Sequence, residues 1–272
     1  MIFYSEKKLP LELNRFPDGT FRLNAVCENK DGGKPFPIIW QYENEAELAA
    51  LIFLAKHIKS LTSRPVELYI PYLPNARMDR VKHEDEVFTL KYFCEIINSL
   101  GFEKVTVLDV HSAVSAALLD RAENIEPQAY IEKAMKSFGF DYEKDCIFFP
   151  DEGSFKRYSA YDAFKACGNI SFGIKKREWE TGKILGLDIT GADVKDRNIF
   201  IIDDICSYGG TVYHSALKLK ELGCKKIGVF FTHCENSIKD GKLFEGELID
   251  RIYTTNSICT VENDKLVRFD CF

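Results

Sequence analysis

Residues 199–211 read IFIIDDICSYGGT. Four apolar residues run straight into two adjacent aspartates, and a short loop then ends in Gly209-Gly210-Thr211. The following VYHSALKLK has helical spacing, so the stretch predicts a strand, an acidic pair, a glycine loop and a helix. Two carboxylates at a strand's C-terminal edge can accept hydrogen bonds from vicinal hydroxyls or hold a divalent cation. A glycine turn can bring backbone N–H groups to a phosphate at the start of the helix. Asp203 and Asp204 thus suit the 2- and 3-hydroxyls of a ribose, and Ser207, Tyr208, Gly209, Gly210 and Thr211 suit its 5-phosphate. The plainer alternative is an acidic helix cap with a tight turn.

Outward from this stretch, short apolar runs alternate with amphipathic ones, the pattern of an α/β class with mostly parallel sheets. ELAALIFLAKHIKSL (47–61) predicts a helix and VELYIPY (66–72) a strand. FTLKYFCEIINSLGF (88–102) predicts a helix stopped by Gly101, and KVTVLDVH (104–111) a strand. YIEKAMKSF predicts a helix and CIFFPD a strand. SFKRYSAYDAFKACG (154–168) predicts a helix stopped by Gly168, followed by the strand NISFGI. After a loop come NIFIIDD as strand, TVYHSALKLKELGC as helix and KKIGVFF as strand. Two halves, 1–127 and 128–272, meet near the polar stretch DRAENIEP (120–127). In open parallel sheets ligands collect beyond the carboxyl ends of the strands, which makes the residues after each apolar run the candidates for chemistry.

The 272 residues suffice for two domains, and a hydrophobic share of 46% suffices for their cores. A net charge of −6 argues against a general nucleic-acid or anionic-membrane surface while leaving room for a local phosphate site. MIFYSEKKLPLEL shows no signal-peptide pattern, and no run reaches the ~18 apolar residues of a membrane span. Nine dispersed cysteines, none in a CxxC pair, argue against zinc and for reduced thiols. The expectation is a cytoplasmic protein, in a host's cytoplasm if phage-encoded.

Five stretches resemble the ribose-phosphate pyrophosphokinase (PRPP synthetase) family, in family order and at about family spacing. RFPDGTFRL (15–23) is similar to its N-terminal Phe-x-Asp-Gly-Glu, YIPYLPNARMDR (69–80) to its Tyr-Ala-Arg-Gln-Asp-Arg, and VLDVHS (107–112) to its Asp-Leu-His-Ala. FFPDEGSFKR (148–157) is similar to its Pro-Asp-x-Gly turn, and IKKREWETG (174–182) sits where it carries a mobile loop with a Lys-x-Arg pair. The resemblance implies two phosphoribosyltransferase-like (Rossmann-like) domains, leaving open whether the last strand, near VRFDCF (267–272), returns to the first domain. It implies ATP binding by Phe16, Asp18, Thr20, Arg77, Met78, Asp79, Arg80 and His111, the first three reaching a neighbouring subunit's site in a homo-oligomer, dimer or hexamer. Mg2+ would come with ATP as co-substrate and be held by His111 and Asp151. Lys175 and Arg177 would be the catalytic cations, stabilising the leaving AMP and the transferring pyrophosphoryl.

The chain departs from the family at several of these positions. The usual loop is Asp-Thr-Gly-Gly-Thr, whereas Ser207 and Tyr208 open it here; Met78 replaces a glutamine, Thr20 a glutamate, and Ala113 a common acidic residue. A tyrosine at the lip of a phosphate loop can stack on a base. The departures therefore favour ADP-ribose as acceptor, a substrate used by a branch of the family in NAD salvage, with ribose 5-phosphate as the alternative. A phosphoribosyltransferase would leave the first half unexplained. A non-catalytic subunit would leave His111, Asp151, Lys175 and Arg177 unexplained.

Overall fold

A computed structural model describes residues 1–28, 31–177 and 184–272; for 175–177 and 184–187 it describes the backbone. The chain packs as two units, residues 1–126 together with Phe272, and residues 127–271.

In the first unit, β1 (Ile2–Tyr4) and β2 (Leu9–Pro10) form an edge hairpin, and β3 (Asn14–Arg15) and β4 (Phe21–Arg22) form a separate one. Next come β5 (Phe36–Trp40), α1 (Ala46–Leu61), β6 (Val66–Ile70), α2 (Thr89–Ser99), β7 (Lys104–Leu108), α3 (Ala113–Leu118) and β8 (Ala122–Ile125). The sheet order is β2-β1-β5-β6-β7-β8, parallel from β5 to β8. Its core joins Trp40, Leu51, Leu54, Leu68, Ile70, Phe93 and Val107. Trp40 Nε1 donates to the buried Glu47 carboxylate at 2.9 Å, so the one polar atom of that large side chain is satisfied. The polar run at 120–127 is not a simple linker. It contains β8, whose backbone pairs with β7 while its side chains mostly face solvent, as an edge strand permits.

The second unit contains α4 (Gln128–Phe138), β9 (Cys146–Phe149), α5 (Glu152–Tyr158), β10 (Ile170–Arg177), β11 (Ile184–Gly191), β12 (Ile199–Cys206), α6 (Gly210–Glu221), β13 (Ile227–Cys234), β14 (Arg251–Thr255) and β15 (Leu266–Phe269). Its sheet runs β11-β10-β9-β12-β13-β14-β15, with only β11 antiparallel to its neighbour. β9, β12 and β13 are buried on both faces in their apolar stretches, which is why they read as uninterrupted apolar runs. Phe200 sits among Phe138, Phe140 and Tyr253, with ring centroids 5.6, 6.2 and 6.1 Å away. Of the nine cysteines all but Cys27 are buried, and all are free thiols. No helix among the described residues is long and apolar enough to cross a membrane.

Three expectations change. The helix over 154–168 ends at Tyr158 and gives way to a 3₁₀ turn over Asp162–Phe164. Tyr158, Tyr161 and Phe164 recur every third residue, the 3₁₀ spacing, with successive ring centroids 5.7 and 5.8 Å apart. Second, NISFGI does not stop at 174. β10 continues through Lys175 and Arg177 and pairs with β11, a strand masked in the sequence by its two glycines. The rest of the expected loop, 178–182, lies outside the described residues. Third, the last strand β15 extends the second sheet; of the C-terminal residues only Phe272 joins the first unit, near Phe3 and Tyr69.

The fully buried Phe200 has nowhere to relax on truncation. Phe200→Ala is expected to destabilise the protein by about 3–5 kcal/mol in chemical denaturation, while Phe53→Ala, at a site 54% exposed, stays within ~0.5 kcal/mol.

Candidate active site

In the second unit β12 lies between β9 and β13 and carries the acidic pair near its C-terminal end. The strand does not stop at the aspartates; it continues to Cys206, so both carboxylates are held by a paired backbone rather than a loop. Asp204 is 7% exposed, and its Oδ2 accepts from Arg157 Nη1 of α5 at 2.8 Å. Arg157 is a candidate site residue that the sequence reading missed. It stands 47 positions away, and only the packing of α5 beside β12 brings it to the pair.

Asp203 is half-buried. Desolvation, and then the negative charges of Asp204 and Asp151, push its carboxyl well above the usual carboxylate range. The three acids thus gather at the ends of β9 and β12, as parallel neighbours allow. Asp151 also has a structural role as N-cap of α5. Its Oδ1 accepts from Gly153 N at 3.0 Å and Ser154 N at 3.1 Å in a capping box.

The glycine loop comes next in the chain. Gly209, at φ +75°, turns the backbone into α6, the left-handed conformation glycine tolerates best. Behind it packs the segment after β13: a Cβ on Gly241 would come within 2.0 Å of the Tyr208 carbonyl oxygen, so Gly241 is what lets this wall approach. Tyr208 is 61% exposed, at the loop's lip. Gly210 and Thr211 are exposed at the first turn of α6. Ser207 is occupied differently from expectation. Its hydroxyl donates to Glu235 Oε2 at 2.5 Å, and Glu235 was not visible as a site residue in the sequence.

In the first unit the segments after β6 and β7 leave adjacent parallel strands at the same edge. Asp79 is buried. Burial pushes its carboxyl up, but the bond from Arg80 Nε at 3.0 Å, then the neighbouring Ser112 hydroxyl and the charges of Arg80 and His111, outweigh this and hold it below the usual range. Ser112 lies beside the same carboxyl, its buried hydroxyl making no hydrogen bond of normal geometry. Asp79, Arg80 and His111 are therefore brought together. Arg77 is exposed and Met78 half-buried on the same segment. Phe16, Asp18 and Thr20 form the tip of the β3–β4 hairpin. Asp18 Oδ1 accepts from Thr20 Oγ1 at 2.7 Å and Thr20 N at 3.0 Å, which lowers its carboxyl, and Phe16 is 49% exposed. Lys175 and Arg177 stand on β10 opposite Leu187 and Ile184; their side chains lie outside the description.

No protein-family model matches the sequence. The ribose-phosphate pyrophosphokinase of Pyrococcus furiosus is 27% identical, over 94% of this chain and 89% of its own. That of Ureaplasma parvum is 28% identical, over 94% and 77%. Similarity to ribose-phosphate pyrophosphokinases therefore spans more than nine-tenths of the chain. The crystal structure of phosphoribosylpyrophosphate synthetase from Mycobacterium smegmatis superposes with a TM-score of 0.78, covering 96% of this chain and 86% of that one at 17% identity. The fold is shared, and the sequence kinship to the pyrophosphokinases runs through both units.

Because Asp203 holds its proton more tightly folded than unfolded, it subtracts stability as pH rises from the unfolded carboxylate range through its own higher pKa. Asp203→Asn keeps the acceptor for Asp204 N and removes that charge. It is expected to raise the melting temperature at pH 8 by about 2–4 °C, the shift ~1 kcal/mol gives, and to have no such effect at pH 4.

Proposed function

We propose that the protein is a pyrophosphokinase that joins the β,γ-pyrophosphoryl group of MgATP to the 1-hydroxyl of ribose 5-phosphate and releases AMP. The observation that carries this reading is kinship to ribose-phosphate pyrophosphokinases along more than nine-tenths of the chain. The acidic pair on β12 and the glycine loop before α6 support it, since both suit a phosphorylated ribose.

In the proposed reaction the sugar's 1-oxygen attacks the β-phosphorus, the bond from that phosphorus to the AMP oxygen breaks, and the hydroxyl proton is lost. Asp203 and Asp204 would accept from the ribose hydroxyls, with Arg157 fixing the Asp204 carboxylate. The N–H groups of the 207–211 loop would hold the 5-phosphate. Crowding of Asp203 by Asp204 and Asp151 suits hydroxyl donors or a cation at this edge. Magnesium, when bound with ATP, would neutralise phosphate charge, with His111 and Asp151 as its candidate protein partners. Among the described residues no three metal-binding side chains are set to hold an ion by themselves, so the nucleotide's oxygens would supply much of its coordination. Arg77, Met78, Asp79 and Arg80 would receive the nucleotide. From the family resemblance we carry over a homo-oligomer in which Phe16, Asp18 and Thr20 complete a neighbour's ATP site.

ADP-ribose is a second reading. Exposed Tyr208 at the lip of the loop supports it, because an adenine attached through the 5-phosphate would need an aromatic surface outside the loop.

The test is AMP release from MgATP with each acceptor offered separately and product masses recorded. AMP is expected only in the presence of an acceptor. Lys175→Ala and Arg177→Ala are each expected to lower kcat by about 10²–10³, the usual loss for a group that stabilises transition-state charge. Full activity in both variants would remove these residues from the mechanism.

A further inference from the structure

A cavity of about 360 Å³ opens in the first unit, between the segments that leave β5 and β6 and the helices α1 and α2. Buried Trp40 and Phe93 line it, their ring centroids 6.0 Å apart, and the Tyr42 ring lies 5.8 Å from Trp40. Val87, Tyr92 and Ile96 also line it and are exposed, Tyr92 by half. This volume, walled by aromatic and aliphatic side chains, is that of a small-molecule site.

Four polar side chains line the cavity without a partner. Glu45 precedes α1 but caps none of its N–H groups, and among the described residues its carboxylate has no ion pair. The Tyr42 hydroxyl and the Asn75 amide likewise make no hydrogen bond among the described residues. Thr89 Oγ1, on the first residue of α2, is buried with no hydrogen-bond partner. A buried hydroxyl in that state calls for water or a ligand.

Charge decides which ligand. Glu47 is engaged inside the fold, accepting from Trp40 Nε1 and Glu43 N, each at 2.9 Å. Glu45 is exposed and unmatched, and the Tyr42 phenol is pushed up by burial and then by the charges of Glu45 and Glu47. Among the described residues no lysine, arginine or histidine lines the cavity. Lys91 stands 5.7 Å from the Tyr92 ring centroid but is matched by Glu95 at 3.9 Å. Aromatic faces attract cations. An anion would meet Glu45 with no full positive charge to hold it.

We propose that this cavity binds a small organic cation, an ammonium or guanidinium on an apolar body, with Glu45 as counter-ion and the aromatic side chains as walls. None of the lining residues has a part in the proposed reaction, so the inference stands whether or not AMP is released.

The test titrates phenethylamine, phenethyl alcohol and phenylpropanoate into the full chain in an amine-free buffer, followed by ligand-observed NMR. The three bodies are similar and carry a positive, no and a negative charge. The amine is expected to bind about tenfold more tightly than the alcohol, the order that a partly solvated carboxylate and a cation–π contact give together. The carboxylate should bind more weakly than either. In Glu45→Gln the amine and the alcohol should bind within about twofold of each other; Glu45 is exposed and caps no helix, so this change leaves the fold intact. Tyr92→Ala should weaken the amine by about threefold or more, the loss of one exposed cation–π contact. No binding of the amine, or equal binding of amine and alcohol to the wild type, would overturn the proposal. So would a preference unchanged in Glu45→Gln, or an amine affinity unchanged in Tyr92→Ala, which would put the amine elsewhere.

Discussion

Everything in the second unit depends on a parallel strand that delivers two carboxylates to its end while its middle is sealed in apolar packing. β12 is paired on both sides, with β9 and with β13, and Ile199, Phe200, Ile201 and Ile202 are fully buried. A strand so held cannot slip by one residue, because that would exchange the faces of its whole side-chain set. The acidic pair is therefore placed to within the rigidity of the sheet. Burying carboxylates and gathering them at such a site is unfavourable: desolvation first, then the charges of Asp204 and Asp151, raise the Asp203 carboxyl. Arg157 offsets part of it at Asp204. What remains suits a ligand that brings hydroxyl donors or a cation.

The glycine loop is held by the same sheet from another side. β13 ends level with β12, and the segment from Glu235 to Gly241 packs behind residues 207–209. The loop is thus shaped by two strand ends instead of by its own glycines alone. In the first unit the comparable feature is the shared edge of β6 and β7, which brings Asp79 and Arg80 beside His111. In both units polar residues follow buried strands at their carboxyl ends, where parallel sheets place ligands.

Much of the fold was legible because its central strands are buried on both faces. CIFF, IFII and GVFF announce themselves as apolar runs, and α1, α2, α4 and α6 by helical spacing. Elements stabilised mainly by their neighbours were not legible. β8 is a polar edge strand defined by its ladder with β7, β11 carries two glycines, and β5 contains Pro37. Each forms because an adjacent strand supplies the hydrogen bonds that its own composition does not advertise. The break after Tyr158 likewise reflects packing of three aromatic rings that helical propensity does not anticipate.

The α/β alternation, the order of the five motifs and the acid–glycine loop were all readable from the chain alone, because they are written in contiguous residues. Tertiary packing had to decide that Arg157 neutralises Asp204, that Ser207 is bound to Glu235, that Asp151 caps a helix and that Gly241 backs the loop. Except for the Asp151 cap, these contacts join residues 28 to 47 positions apart. Only the pairing of strands brings such residues within hydrogen-bond distance, and no local pattern records which side chains will meet at strand ends.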